Sequence, residues 1–127
     1  MSSLARTTVV MLALLVVSAL PAMAQQFEAE IDCGGVFAPG DQVPLTLRFE
    51  NQTQQSVAIE GDVTVRVPGL GDFPYRQGNF TLGPNQDRDF NLTLNLPPNA
   101  PNGSYTVRLR AMSPQEMTFD SCSFQVQ

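Results

Sequence analysis

The sequence predicts an all-β protein built as an antiparallel sandwich. Beyond residue 24, seven segments alternate apolar and polar residues with a period of two, which is the pattern of strands that bury one face. Glycine, proline, asparagine and aspartate gather between these segments and mark turns. No window in this part has helical periodicity, and short strands separated by regular turns are typical of a sandwich.

The first 24 residues are predicted to be a signal peptide rather than part of the fold. Arg6 supplies a positive charge, residues 9–20 are almost entirely apolar, and residues 22–24 read Ala-Met-Ala, the small-x-small pattern of a cleavage site. The apolar stretch is shorter than the roughly 20 residues that a membrane-spanning helix needs. We therefore expect cleavage after Ala24 and export, in a bacterium, to the periplasm or the medium.

Residues 25–127 are predicted to form one domain. The first mature residue would be Gln25, so the junction has no cysteine for a lipid anchor, and we expect no stable membrane anchor after cleavage. A chain of this length sits near the small end for a domain with its own core.

The first three strands are predicted over residues 27–33, 43–50 and 57–67. In each of them, apolar side chains occupy nearly every second position, and most of the positions between carry charged or polar side chains. Gly61 interrupts the third strand, which predicts a bulge or a bend there.

Residues 68–78 form the longest irregular stretch and are predicted to be a loop. Short strands at 80–82, 90–96, 105–111 and 117–126 follow. In the last strand the apolar phase slips between Phe119 and Cys122. Because a one-residue slip reverses every side chain, we expect a bulge near Asp120 or Ser121.

The two cysteines, Cys33 and Cys122, are predicted to form a disulfide. Export to an oxidising compartment favours a bond, and both residues lie on the apolar face of their strand, one in the first and one in the last. The alternative is a pair of unpaired buried thiols. A bond closing such a long loop would stabilise the fold by about 4 to 5 kcal/mol.

The segments GDQVPLTLRFENQTQQSV and NFTLGPNQDRDFNLTLNLPPNAPNGSYTVRLRA resemble the bacterial immunoglobulin-like accessory domains of the CARDB and NEW3 type. The matching features are Asn51 in a turn after a strand, Leu82 with Pro84, and Gly103 with Tyr105. The resemblance implies a seven-stranded immunoglobulin-like (fibronectin III-like) β-sandwich. The predicted disulfide is a departure, because such modules commonly lack one.

Tyr105 follows the turn at Asn102 and Gly103, whose residue types tolerate positive φ. We expect its ring to be buried and its hydroxyl to reach a nearby backbone group, as in a tyrosine corner.

Four triplets have the N-x-[ST] form of a glycan acceptor, beginning at Asn51, Asn79, Asn91 and Asn102. The alternative is that borders between strands and turns produce this triplet by composition alone.

Composition excludes several classes of function. Without the signal peptide, six arginines face twelve carboxylates, a net charge of −6, so a nucleic-acid partner is not expected. The chain has no histidine and no lysine, which removes histidine-based nucleophilic catalysis, Schiff-base chemistry and histidine metal sites. We expect no enzymatic activity and no cofactor.

Two sets of residues are candidate binding sites. Phe73, Tyr75 and Arg76 combine aromatic and guanidinium groups in the predicted loop, residue types that are enriched at interaction hot spots. The alternative is that the two aromatic rings cap the core or form a short extra strand.

The second set is acidic. Glu28, Glu30 and Asp32 share one face of the first strand, and with Asp120 from the last strand they are weak candidates for calcium ligands. The alternative is a solvated outer face whose charge prevents edge-to-edge association.

The sequence thus predicts an exported, non-enzymatic immunoglobulin-like domain that acts as a protein-interaction or structural accessory module. Its partner is expected to be another exported protein or a component of the cell envelope, and its oligomeric state is left open. The alternatives are a small carbohydrate-binding module and a protease inhibitor that presents the loop at 68–78.

Overall fold

The computed structural model describes residues 25–127, and the predicted signal peptide lies outside the described residues. The regular elements in this part are eight strands: β1 (Phe27–Asp32), β2 (Val36–Phe37), β3 (Gln42–Asn51), β4 (Val57–Val67), β5 (Gly71–Leu82), β6 (Asp87–Asn95), β7 (Gly103–Met112) and β8 (Met117–Val126). Across residues 25–127, no helix is long and apolar enough to cross a membrane.

The strands form two sheets that pack face to face. One sheet has three strands in the order β1-β3-β6, and the other has five in the order β2-β8-β7-β4-β5. Every pairing is antiparallel except that of β2 with β8, which is parallel. The all-β class and the two-sheet arrangement predicted from the alternation are confirmed.

The core fills the space between the sheets with the predicted apolar faces. In β3 and β7 every second side chain is buried: Val43, Leu45, Leu47, Phe49, Tyr105, Val107, Leu109 and Ala111. The pleat of a strand sends alternate side chains to opposite faces, so the period-two pattern identified these inward positions correctly.

The strand count differs from the predicted seven. The additional strand is β2, two residues within the predicted turn, whose backbone pairs with the end of β8. The amide of Gln125 donates to the carbonyl of Gly35, and that of Gln127 donates to Phe37. Two residues are too few to display an alternating pattern, so only their tertiary partner defines them as a strand.

The predicted loop at 68–78 is mostly a strand. The chain turns at residues 68–70, and β5 begins at Gly71 and pairs with β4 along its whole length. Pro74 is tolerated because β5 is an edge strand, where a missing amide costs no ladder bond.

The bulge expected at Gly61 lies elsewhere. Gly61 pairs regularly with Gly78, and the register shifts instead between Val63 and Thr64, opposite which β5 holds Tyr75 as an extra residue. A bulge of this kind bends an edge strand and re-aims a side chain.

The bulge expected in the last strand is also absent. The pairing of β8 with β7 runs without a shift from Met117 opposite Met112 to Val126 opposite Gly103. The slip in the apolar pattern arises because Met117 and Phe119 lie on the outer face, where they are 50% and 66% exposed.

Candidate functional site

One lateral side of the sandwich, where β1 meets β8, is closed. The predicted disulfide is present: Cys33 is bonded to Cys122, with 5.7 Å between their Cα atoms. The carboxylate of Asp120 accepts a hydrogen bond from the Ile31 amide at 2.9 Å. Glu116 accepts from the amides of residues 26 and 27 at 2.7 and 3.1 Å. These contacts satisfy backbone donors of β1 and hold the two ends of the domain together.

The four calcium candidates do not converge. Glu28, Glu30 and Asp32 alternate with the buried residues of β1 and therefore lie on its outer face. Asp120 instead binds the backbone of β1, and Glu28 accepts from the side-chain amide of Gln52. Residues 25–127 contain no group of three acidic or sulfur-bearing side chains placed to hold a metal ion. The structure therefore does not bring these four side chains together.

Asn51 is buried and its side chain binds the backbone of nearby turns. It is 1% exposed, and its side-chain amide donates to the carbonyls of Gln55 and Gly83, each at 2.8 Å. Its side-chain oxygen accepts from the amide and hydroxyl of Thr53. The first of the four triplets is therefore a buried turn organiser, whereas Asn79, Asn91 and Asn102 are exposed.

Tyr105 makes the contact expected of it. Its ring is buried and stacks on Phe124 at 5.0 Å between centroids, and its hydroxyl donates to the carbonyl of Pro101 at 2.6 Å. Burial raises the pKa of its hydroxyl above the ordinary value. Gly103 allows the preceding turn, since its φ is +133° and a Cβ there would approach Pro68 to 3.0 Å.

The opposite lateral side, where the edge strands β5 and β6 face each other, is open. We call it the open edge. The three residues of the predicted binding loop all lie there. Phe73 is 46% exposed, whereas Tyr75 is partly buried and its hydroxyl donates to the carbonyl of Thr93 on β6. The Arg76 guanidinium lies 5.4 Å from the Tyr75 ring centroid. Tyr75 therefore links the two sheets, and Phe73 is the freer aromatic group.

Two apolar recesses lie along the open edge. The first, the end groove, has a volume of about 340 Å³ and is lined by residues that include Leu70, Phe73, Tyr75, Leu94, Pro97 and Pro101. The second, the edge slot, has a volume of about 250 Å³ and is lined by residues that include Phe49, Gly61, Gly78, Phe80, Arg88 and Phe90. Neither recess was predicted from the sequence, because each forms between strands that are distant along the chain.

The arginines fall into two groups. Arg48, Arg66 and Arg110 form salt bridges with Asp89, Asp72 and Asp62, respectively. The guanidinium of Arg66 holds the pKa of the Asp72 carboxyl below its ordinary value, chiefly through their hydrogen bond. Within the described part of the chain, Arg76, Arg88 and Arg108 make no salt bridge. Two of these three, Arg76 and Arg88, line the edge slot.

The fold is similar to that of several solved structures. The chain is similar to the CARDB domain of a Pyrococcus furiosus protein solved in complex with di-metal ions, with a TM-score of 0.64, 13% identity, and coverage of 80% of this chain and 87% of that one. No protein-family model matches the chain, and no curated protein sequence matches it. The CARDB resemblance seen in the sequence is therefore confirmed at the level of fold.

Two further neighbours are parts of larger enzymes. The Pseudomonas fluorescens alkylpurine DNA glycosylase AlkC, bound to DNA with an abasic site analog, aligns with a TM-score of 0.65 and 13% identity over 86% of this chain and 32% of that one. A Listeria innocua β-glucosidase in complex with glucose aligns with a TM-score of 0.62 and 11% identity over 81% and 16%. The chain thus spans a third or less of these two enzymes, and identities this low show the fold alone.

Proposed function

We propose that this chain is an exported, non-catalytic accessory module of a bacterial cell that binds another exported protein through its open edge. The observation that carries the proposal is the asymmetry between the two sides of the sandwich. One side is closed by a disulfide and by two carboxylates that cap the backbone of β1. The other side has two apolar recesses, an exposed phenylalanine and two arginines without a carboxylate partner among residues 25–127.

The strand order supports an immunoglobulin-like relationship. If β2 is treated as a continuation of β1 that crosses to the other sheet, seven strands remain, in the orders 1-3-6 and 8-7-4-5. Strands that switch sheets and a last pair packed beside the first strand are features of such sandwiches. The similarity in fold to a CARDB domain, with a TM-score of 0.64, supports this assignment.

A non-catalytic role is supported by the residue types available. The sequence contains no histidine and no lysine, the side chains that most often act near neutral pH as general base or amine nucleophile. No aspartate or glutamate lines the edge slot or the end groove. The chemistry of the open edge is therefore suited to binding.

The composition of the end groove favours an apolar segment of a protein over the two alternatives. Leu70 is 63% exposed, and it lines the groove together with Phe73 and three prolines. Such a surface offers burial of apolar area but few of the hydrogen bonds that a sugar needs. A protease inhibitor requires an outward loop, whereas residues 71–78 are paired with β4.

The test is capture by cross-linking from the native envelope. A photo-cross-linking phenylalanine analogue is placed at position 73 of the tagged mature chain, and a matched probe is placed at position 119 on the outer face of β8. We expect one protein to be captured from position 73 only, and its capture to disappear in Leu70→Ser. Equal capture from both positions, or capture of glycan alone, would contradict the proposal.

A further inference from the structure

The edge slot arises from a pair of facing glycines that the fold itself does not require. Gly61 and Gly78 are register partners, placed between the pairs Ile59 with Phe80 and Val63 with Arg76. Because Ile59 and Val63 are buried, the two glycines occupy inward-facing positions of the sheet. The slot is the space that their missing side chains leave.

Neither glycine is needed for its backbone conformation. Both lie outside the positive-φ region, where glycine is favoured. A Cβ added at Gly78 would meet no atom within 4 Å, and one added at Gly61 would meet only the Phe49 ring, at 4.0 Å. Glycine inside a strand costs stability relative to larger residues, so the pair sacrifices packing and leaves an open volume.

Aromatic side chains form the walls of the slot, and residues of the core line its inner end. Phe49, Phe80 and Phe90 pack edge to face, with centroids 4.8 to 5.8 Å apart. Leu47 and Leu109, both buried core residues, line the deep part. A dry apolar cavity of about 150 Å³ is enough to bind benzene. The slot, at about 250 Å³, is therefore large enough for an apolar group of greater size.

Two arginine side chains lie beside this apolar space. Arg76 pairs with Val63 and Arg88 pairs with Phe49, so both arginines occupy inward-facing positions on edge strands. The Arg88 guanidinium lies 5.6 and 4.9 Å from the ring centroids of Phe80 and Phe90. Neither arginine forms a salt bridge within residues 25–127, although each of three others has an aspartate partner.

No carboxylate offsets this charge within the slot. Glu60 and Asp62, the nearest acids on β4, alternate with Ile59, Gly61 and Val63 and therefore lie on the outer face of the sheet. The residues that line the slot include two arginines and no aspartate or glutamate. Inward-pointing charges on edge strands can also prevent edge-to-edge association. That role would account for the arginines, but it would not account for the glycine pair or the volume.

We propose that the edge slot binds a small amphiphilic carboxylate, with its acyl chain against the phenylalanine rings and its carboxylate at Arg76 and Arg88. An apolar wall beside two guanidinium groups that line the same recess matches both halves of such a molecule, since arginine forms charge-assisted hydrogen bonds with carboxylates. This ligand site goes beyond the proposed protein-binding role. It is tested on the purified chain, so either idea can fail while the other stands.

The test is titration of the isotope-labelled mature chain with decanoate, below its micelle concentration, followed by NMR. We expect saturable shifts of the amides of Gly61, Gly78, Phe80 and Arg88. Gly78→Leu should fill the slot and weaken binding by about tenfold or more while the chain stays folded, and Gly78→Val serves as a smaller filling variant. Absence of saturable shifts, or binding that survives both variants in the folded state, overturns the proposal.

The charge requirement is tested separately. The double variant Arg76→Gln, Arg88→Gln should bind decanoate about tenfold more weakly or worse, whereas Arg108→Gln, the matched control outside the slot, should bind it as the unaltered chain does. Decyltrimethylammonium, with the same chain and the opposite charge, should not compete. The proposal is overturned if decanoate and decyltrimethylammonium bind equally well. It is also overturned if a phenylalanine-terminated peptide with a free carboxylate binds more tightly than decanoate, which would assign the slot to a protein terminus.

Discussion

Asn51 shows how one buried polar side chain organises two turns. Its amide group donates to carbonyls on both the β3–β4 and the β5–β6 connections, and its oxygen accepts from Thr53. Every buried side-chain polar atom of residues 25–127 has a hydrogen-bond partner, so this network carries no uncompensated cost. The same residue begins an N-x-T triplet, but its burial makes it inaccessible as a glycan acceptor in the folded chain.

We predict that Asn51→Ala lowers the free energy of unfolding by about 1–3 kcal/mol, because the backbone groups it satisfies stay buried without partners. Asn91→Ala is the matched control: Asn91 is exposed, and its change should stay within about 0.5 kcal/mol. Urea unfolding measures both. Equal effects of the two substitutions would mean that the Asn51 network contributes little.

At the scale of the element, β8 and β5 show what alternation alone leaves undecided. The apolar residues of β8 change phase without a bulge, because Asp120 takes an inward position and binds the backbone of β1. In β5 the residues Gly71, Pro74 and Gly78 are typical of a loop, yet the whole segment pairs with β4. In both strands a long-range partner decides the conformation.

Two phenylalanines of β8 lie on opposite faces of the strand, so substituting them should change stability by very different amounts. Phe119→Thr should change the free energy of unfolding by no more than about 0.5 kcal/mol, because the ring is already in solvent. Phe124→Ala should cost about 3–5 kcal/mol, because its ring is buried against Tyr105 and Phe37. Chemical unfolding of both variants checks the assignment. A cost of several kcal/mol at Phe119 would restore the bulged register.

At the scale of the whole molecule, the two lateral sides of the sandwich differ, because one is closed by contacts between the chain ends and the other keeps open apolar space. The closed side joins the chain ends with the disulfide, Glu116 and Asp120. The open edge instead retains the end groove, the edge slot and two arginines without salt bridges in the described part. A sandwich that is covalently held on one side can leave apolar space on the other, because the loss of packing there is offset by the restriction of the unfolded chain.

We predict that the double variant Cys33→Ala, Cys122→Ala loses about 4–5 kcal/mol of unfolding free energy, since the bond spans 89 residues. Reductant should destabilise the unaltered chain by a similar amount and leave the double variant unchanged. Denaturant titration with and without reductant is the measurement. A loss below about 1 kcal/mol would show that the carboxylate contacts of β1 suffice to hold the ends.

Much of the fold could be predicted from the sequence, whereas the candidate site could be predicted only in part. Alternation identified the inward faces of β3 and β7, and the cysteines were paired correctly. Phe73, Tyr75 and Arg76 were placed in one binding loop, but they lie on a bulged edge strand where Tyr75 ties the two sheets. No local pattern signals that Gly61 faces Gly78, because that pairing depends on the register of β4 and β5.

The sequence by itself determined the all-β class and the apolar faces of β3 and β7, because the pleat makes residue spacing a record of burial. It also determined the partners of the disulfide, because the chain has two cysteines. Only the tertiary structure decided which strands lie at the edges, which glycines face each other and which arginines lack a carboxylate. Those properties depend on the order and register of strands far apart in the chain, and they create the recesses of the open edge.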